Sequence, residues 1–247
     1  MSGLDWLIRR PVAHRGLHDS ASGIVENTLP AAQAAIDGDY GIEVDLQLSA
    51  DGVPMVFHDD TLDRLTEATG PVAAHTADAL CRIAFKRGRA TMPTLGGLLA
   101  LVAGRVPLVL ELKSDFQNSG ALEQAVAAQL ETYAGPVAIM SFDPRMVARF
   151  RAIAPQITRG IVAEGFSRAA DWPELTAGQR LRLRMMTHLP SSRPHFVAYG
   201  IRDLPAFMPL ALRAAGRPLL TWTVRNAADG ARALKWTDQM IFEGFRP

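Results

Sequence analysis

Cysteine is almost missing from these 247 residues: Cys81 stands alone. One thiol excludes an intrachain disulfide and every zinc or redox motif built on cysteine pairs, and it reads as a buried structural side chain. Lysine is nearly as scarce. Lys86, Lys113 and Lys235 stand against 23 arginines, so the setting of each lysine is informative. No apolar run approaches the ~20 residues that a bilayer-spanning helix needs. The stretch Met1 to Arg10 is too short and too charged for a signal peptide. The expectation is a soluble cytoplasmic protein with no stable membrane insertion. Neither sign of charge is in excess: 26 Lys and Arg face 25 Asp and Glu, a formal +1. A nucleic-acid partner, which usually demands a basic surplus, finds no support. There is no G-x-G-x-x-G and no Gly-Lys pair, so the usual nucleotide-binding loops are missing. H-x-H, H-E-x-x-H and G-x-S-x-G are missing too, which argues against the common zinc and serine hydrolases. Internal repeats and low-complexity tracts are also lacking.

What remains is ordinary globular composition, 48% apolar and 21% charged, in a chain about the size of one (β/α)8 barrel. Nine β-like runs occur near 11–14, 42–48, 53–58, 106–112, 136–141, 158–163, 195–199, 218–224 and 239–243. Helix signals lie between them. Leu95, Leu98, Leu99 and Val102 repeat at i, i+3, i+4, i+7 over 94–103, and Leu122, Ala125, Val126 and Leu130 do so over 121–132. Asp143 before Pro144 is an N-cap with proline at the first helical position. Asn226 caps a helix expected to end near Trp236. Further helices are expected at 28–37 and 205–215, and 165–190 lacks a clear period. Asp51-Gly52 is a hairpin signal, so 53–58 runs antiparallel to 42–48. Removing it leaves eight strands alternating with helices, which predicts a TIM barrel of the α/β class. A doubly wound open sheet is the alternative. The barrel is expected to form one domain over 1–247, with 60–92 as a small insertion.

In such a barrel the chemistry sits at the C-terminal ends of the strands, where this sequence places unusual polar residues. His14 and Arg15 end the first strand. Glu43 and Asp45 are two apart and therefore share a face, with Ile42, Val44 and Leu46 on the other. Glu111 and Lys113 repeat the pattern, and His58 ends the returning arm of the hairpin. Buried carboxylates are costly unless paired or metal-bound. Three convergent acids suit a hard cation such as Mg2+ or Ca2+. Two histidines can divide general acid and base roles, Arg15 can fork onto a phosphate, and Lys113 adds a point charge. Taken singly, each has a plain alternative: a satisfied turn histidine, an inner ion-pair cluster, a structural salt bridge. Together they favour phosphoryl chemistry. His18, His75, His188 and His195 lack comparable settings and read as structural or surface residues.

The ordered series His14-Arg15-Gly16, Glu26-Asn27-Thr28, Glu43-x-Asp45, Asp51-Gly52 and His58-Asp59 resembles the glycerophosphodiester phosphodiesterase family. Leu62-Asp63-Arg64, Pro93-Thr94-Leu95, Glu111-x-Lys113, Ser141-Phe142 and Trp222-Thr223-Val224 extend the resemblance along the chain. It implies a TIM barrel that hydrolyses glycerophosphodiesters to sn-glycerol 3-phosphate and an alcohol. It implies Glu43, Asp45 and Glu111 as ligands of one divalent cation, and His14 and His58 as the acid/base pair. Arg15 and Lys113 become phosphate contacts, with Phe142 and Trp222 as walls for the substrate. Glu26 would support the metal-side network and Asn27 would brace the loop after the first strand. Two departures stand out. Arg225 occupies a position where the family usually has asparagine, and the last strand ends Phe242-Glu243-Gly244 rather than Thr-Asp-x-Pro. The eighth outer helix is expected to be absent or replaced, with the segment Leu4 to Ile8 covering its place. Two other functions are weighed: a phospholipase D-like hydrolase of lysophospholipids on the same barrel, and a non-catalytic phosphodiester-binding protein. Headgroup selection is expected to be loose, since no aromatic cage is legible.

Overall fold

A computed structural model describes residues 3–117 and 119–247. Among these residues nine strands form: β1 (Val12–Ala13), β2 (Gly41–Leu48), β3 (Pro54–Val56), β4 (Leu108–Leu112), β5 (Val137–Ser141), β6 (Thr158–Ala163), β7 (Phe196–Gly200), β8 (Leu219–Val224) and β9 (Gln239–Phe242). Each falls on one of the nine apolar runs of the sequence. Their inward and outward faces are both covered, so they read as continuous hydrophobic runs rather than alternating ones. The turn at Asp51-Gly52 reverses the chain, and β3 pairs antiparallel to β2 with Leu46 opposite Val56. Set β3 aside, and eight strands alternate with helices in chain order. The architecture is the TIM (β/α)8 barrel expected from the sequence.

The chain divides into two compact units. One comprises Val12–Lys113 and Ser119–Val137. Here β2 is the hub, pairing parallel with β1 and β4 and antiparallel with β3. The segment 60–92 after the hairpin has only a 3-10 turn at Val72–Ala74, a short helix at Ala77–Leu80 and isolated bridges. Its own core is Leu62, Val72, Leu80, Phe85 and Met92, packed with Met55 and Phe57. Cys81, expected to be buried, is half-buried beside that core because it lies just past the end of the short helix. The other unit comprises Met1–Pro11, Ser114–Asn118 and Ala138–Pro247. Strands β5 to β9 succeed one another in parallel where their pairing is described, with β6–β7, for example, aligning Gly160 and Phe196. The short helix Asp5–Ile8 buries Leu7, and the Ile8 carbonyl accepts from Gln239 Nε2 of β9 at 3.0 Å.

Helix boundaries follow local chemistry. Asp143 accepts from the Arg145 amide at 2.9 Å and Pro144 occupies the first turn of Pro144–Ile153. Leu95, Leu98, Leu99 and Val102 form the buried stripe of Leu95–Val102. The helix capped by Asn226 ends at Ala233, short of Trp236, because Thr237 turns back and donates its hydroxyl to the Ala233 carbonyl. The unpatterned stretch 165–190 holds the helix Ala177–Arg184. Its start is a capping box in which Thr176 and Gln179 satisfy each other's backbone amides, a Thr-x-x-Gln signal visible in the sequence.

His188 shows what burial does to a titratable group in this fold. Its Nδ1 lies 3.0 Å from Ser192 Oγ, and burial pushes the imidazole down to about 4 although Asp143 pulls the other way. In the unfolded chain the ring titrates near 6.5. Between those values the unfolded state binds a proton that the folded state refuses, so stability falls as pH drops through this window. The loss reaches at most about 3 kcal/mol. Urea denaturation from about pH 7 to about pH 4 should show that decline, and His188→Gln should flatten it.

Candidate active site

Strand register assembles the acids. In β2, Glu43 and Asp45 point to one face, and the parallel pairing with β4 sets Asp45 directly opposite Glu111. Pairing of β1 with β2 sets Ala13 opposite Ile42 and delivers His14 to the level of Glu43. The Phe57 amide donates to the Asp45 carbonyl at 3.0 Å, which carries the hairpin arm onward to His58. Gln47 Nε2 then holds the carbonyls of both His58 and Asp59. Oxygen atoms of Glu43, Asp45 and Glu111 converge to within 4.8 Å of one another, and all three residues are buried.

Each acid meets donors from neighbouring segments. The Arg15 amide donates to Glu43 Oε2 at 3.0 Å, and His14 Nε2 lies 3.9 Å from the same oxygen. Asp45 and Asn27 clamp each other: Asn27 Nδ2 donates to Asp45 Oδ2 at 2.9 Å, and the Asp45 amide donates to Asn27 Oδ1 at 3.2 Å. Arg15 Nε lies 3.3 Å from Asp45 Oδ2. Lys113 Nζ lies 3.0 Å from Glu111 Oε1 and 3.5 Å from Asp45 Oδ1. This geometry requires unusual backbone after β1. Arg15 and Asn27 both adopt φ of 56°, and Gly16 adopts 76°. A Cβ on Gly16 would come within 2.8 Å of the Ala31 carbonyl carbon, so glycine is required where the loop presses on the helix Leu29–Asp37.

The electrostatics follow from burial and crowding. Burial alone would raise Asp45, but Lys113, His58, Arg15 and His14 outweigh it and hold the carboxyl below the usual carboxylate range. Glu43 goes the other way. Burial and the charges of Asp45 and Glu111 push it well above its ordinary value, with only partial opposition from Arg15. Lys113 is held above its ordinary value: burial pulls it down, and Glu111 and Asp45 more than compensate. Glu43 Oε1 is buried and makes no hydrogen bond to any described residue. An orphaned carboxylate oxygen inside an oxygen-only triad is the donor chemistry of a hard divalent cation, and the residues present fit one.

A second layer surrounds the triad. Glu26 Oε1 accepts from Arg15 Nη1 at 2.7 Å and from Arg64 Nη2 at 2.7 Å. Arg64 Nε also reaches Asp59 Oδ2 at 2.5 Å, and Asp59 Oδ1 lies 2.7 Å from His58 Nδ1. Hydrogen bonding to His58 and Arg64 outweighs burial and keeps the Asp59 carboxyl well below the usual range. Asp59 and Arg64 stand in segments that carry the family resemblance, yet the sequence offers no reason to join them to His58. Their contact spans the whole turn and needs the tertiary fold. His14, Arg15, Glu26, Asn27, Glu43, Asp45, His58, Glu111 and Lys113 thus form one constellation.

Phe142 and Trp222 lie in the other unit, where their rings meet edge-on at 5.5 Å. Phe142 also packs on Trp172 at 4.9 Å and on Phe166 at 6.4 Å, and Phe116 meets Trp172 at 6.1 Å. Trp172 Nε1 donates to Glu164 Oε1 at 2.7 Å. This cluster of five rings was not legible, because Phe166 and Trp172 come from the stretch without a period. The two departures from the family pattern turn out to be partners: Arg225 Nε pairs with Glu243 Oε1 at 2.7 Å.

Comparison with known proteins agrees with the geometry. The family model described as the glycerophosphoryl diester phosphodiesterase family matches residues 14–245. A glycerophosphodiester phosphodiesterase of Caldanaerobacter subterraneus is 30% identical over 234 residues, covering 91% of this chain and 89% of the relative. Human glycerophosphodiester phosphodiesterase 1 is 40% identical over 84 residues, which cover 33% of this chain and 22% of that protein. Among solved structures, an Oleispira antarctica phosphodiesterase in complex with the product sn-glycerol-3-phosphate superposes with a TM-score of 0.77 at 22% identity, covering 94% of this chain and 91% of the other. Arranged on a (β/α)8 barrel and matched over nearly its whole length, the chain belongs to the glycerophosphoryl diester phosphodiesterase family and is an enzyme of that activity.

Proposed function

We propose that this enzyme hydrolyses glycerophosphodiesters to sn-glycerol 3-phosphate and an alcohol, with one divalent cation, Mg2+ or Ca2+, held by Glu43, Asp45 and Glu111. The observation that carries the reading is the convergence of three buried carboxylates within 4.8 Å, one oxygen of which lacks a hydrogen bond among the described residues. A bound cation would supply neutralisation of charge on the phosphate oxygens. Arg15 and Lys113 border the same acids and are assigned to the phosphate, the first as a fork and the second as a point charge. A dication, three carboxylates and two basic groups sum to roughly +1 in unit charges. A monoanionic diester neutralises that charge, whereas a dianionic monoester oversteps it. The product found in the Oleispira antarctica structure is of the class this reading assigns.

The histidines divide the proton work. Asp59 accepts from His58 Nδ1 at 2.7 Å, which leaves Nε2 with its lone pair and would stabilise the imidazolium once formed. His58 is therefore assigned as the base that takes the proton from the nucleophile, either water or the glycerol 2-hydroxyl, the latter giving a cyclic phosphate that water then opens. His14 Nε2 sits 3.9 Å from Glu43 Oε2, at the edge of the acid cluster and apart from the His58–Asp59 pair. It is assigned as the acid that protonates the departing alkoxide. Glu26 and Asn27 position Arg15 and Asp45. Phe142 and Trp222 complete the proposal as apolar contacts of the substrate, to be tested by the KM of their alanine variants.

His14→Ala and His58→Ala should each lower kcat by roughly 10²–10⁴-fold with little change in melting temperature; near-normal turnover in either would remove that histidine from the mechanism. Asp59→Asn should lower kcat while shifting the acidic limb of the pH–rate profile, the limb that the general base sets, a change that a purely structural role would not produce.

Exhaustive chelation should abolish activity, and Mg2+ or Ca2+ should restore it. Full activity after chelation would reduce the three acids to a structural cluster. With cation present, glycerophosphocholine and glycerophosphoethanolamine should release glycerol 3-phosphate, and phosphomonoesters should be poor substrates. Choline release from lysophosphatidylcholine, without cleavage of glycerophosphocholine, would instead favour a phospholipase D-like activity.

A further inference from the structure

The formal charge of +1 conceals an uneven distribution. Of the 26 Lys and Arg, 18 lie in the unit made of Met1–Pro11, Ser114–Asn118 and Ala138–Pro247, against 10 Asp and Glu, a formal +8. The other unit holds 8 against 15, a formal −7. The large exposed apolar side chains among the described residues, namely Ile153, Leu181, Met185, Phe207, Leu234 and Trp236, all belong to the cationic unit. Scattered exposed apolar residues need no explanation, but their coincidence with the positive charge does.

Both features meet on the helix Ala177–Arg184. Leu183 turns inward and, with Met186 just beyond the helix end, joins the core of its unit. That orientation forces the opposite side outward. Leu181 and Met185 are one helical turn apart and therefore share a face, where they are 58% and 50% exposed. Arg182 and Arg184 are exposed on the same helix, while Arg180 is committed to the Leu175 carbonyl at 2.7 Å. The helix Phe207–Ala214 packs on the same core through Met208, Leu210 and Leu212, and it holds Phe207 82% exposed.

We propose that this helix face docks on anionic phospholipid bilayers, with Leu181 and Met185 entering the acyl boundary and Arg182 and Arg184 lying among the headgroup phosphates. A nucleic acid would reward the arginines and leave two aliphatic side chains in water, since its apolar contacts are stacked bases that seek aromatic rings. A neutral apolar surface would reward the reverse. An anionic bilayer takes both. Neither two apolar side chains nor a few arginines suffice alone, and stable attachment generally needs two signals. The association is therefore reversible and weakens as salt shortens the screening length.

Sedimentation of the full-length protein with vesicles tests this. The protein should partition with phosphatidylcholine vesicles that contain phosphatidylglycerol, and not with phosphatidylcholine alone. Leu181→Ser with Met185→Ser should weaken partitioning on the order of tenfold or more. Arg182→Gln with Arg184→Gln should weaken it by roughly fivefold per arginine. Both variants should keep the parent's circular dichroism and its turnover of soluble glycerophosphocholine, which separates this surface from the catalytic reading. The proposal is overturned if the parent ignores anionic vesicles or binds neutral ones equally. It also fails if either folded double variant partitions like the parent, or if an oligonucleotide is retained while anionic vesicles are not.

Discussion

Three carboxylates buried within reach of one another are the constraint around which the rest of the site is organised. Their placement follows from pleat and register: Glu43 and Asp45 share a face of β2, and the parallel pairing with β4 puts Glu111 beside Asp45. Such a cluster is untenable without counter-charge, because like charges at this distance repel strongly once water is removed. The surrounding residues supply it. Lys113 bridges Glu111 and Asp45 Oδ1, and Arg15 and Asn27 both face Asp45 Oδ2. Glu43 receives least, one amide and a histidine at a distance, and its second oxygen makes no hydrogen bond to any described residue.

The segment after β1 bears the conformational cost of that arrangement. Arg15 and Asn27 are held in the left-handed region, which is unfavourable for residues with side chains. Both are over-determined by their contacts, Arg15 through its amide on Glu43 and its guanidinium on Glu26, and Asn27 through its two hydrogen bonds with Asp45. The strain and the acid cluster therefore support each other. From Glu26 the same logic runs outward through Arg64 and Asp59 to His58. A histidine on the hairpin arm is thus oriented by the same ion-pair chain that positions Arg15.

Balanced net charge is a poor guide to the surface of this protein. The acidic unit carries the carboxylate cluster and its supporting network, and the basic unit carries the exposed apolar side chains. A total of +1 is the residue of two large opposing values, and a partner meets local charge rather than the sum, since fields of exposed charges decay within about 10 Å at ordinary ionic strength.

Patterns that are local in the chain were legible from the sequence by itself. The nine strands, the hairpin at Asp51-Gly52, the proline-started helix after Asp143 and the shared face of Glu43 and Asp45 all follow from short apolar runs, the two-residue pleat, turn chemistry and capping, which act over a few residues. The acids, basic groups and histidines that cluster in the candidate site were legible as candidates, because polar residues at the ends of apolar strands are costly and so conspicuous. Tertiary structure decided which distant groups meet. Arg64 bridging Glu26 and Asp59, the pairing of Arg225 with Glu243, and the ring cluster drawing Phe166 and Trp172 to Phe142 depend on loops whose closure leaves no periodic trace. Exposure was decided there too. Whether Leu181 faces the core or the solvent is settled by how Leu183 and Met186 pack, and packing is a property of the assembled units rather than of the helix that carries them.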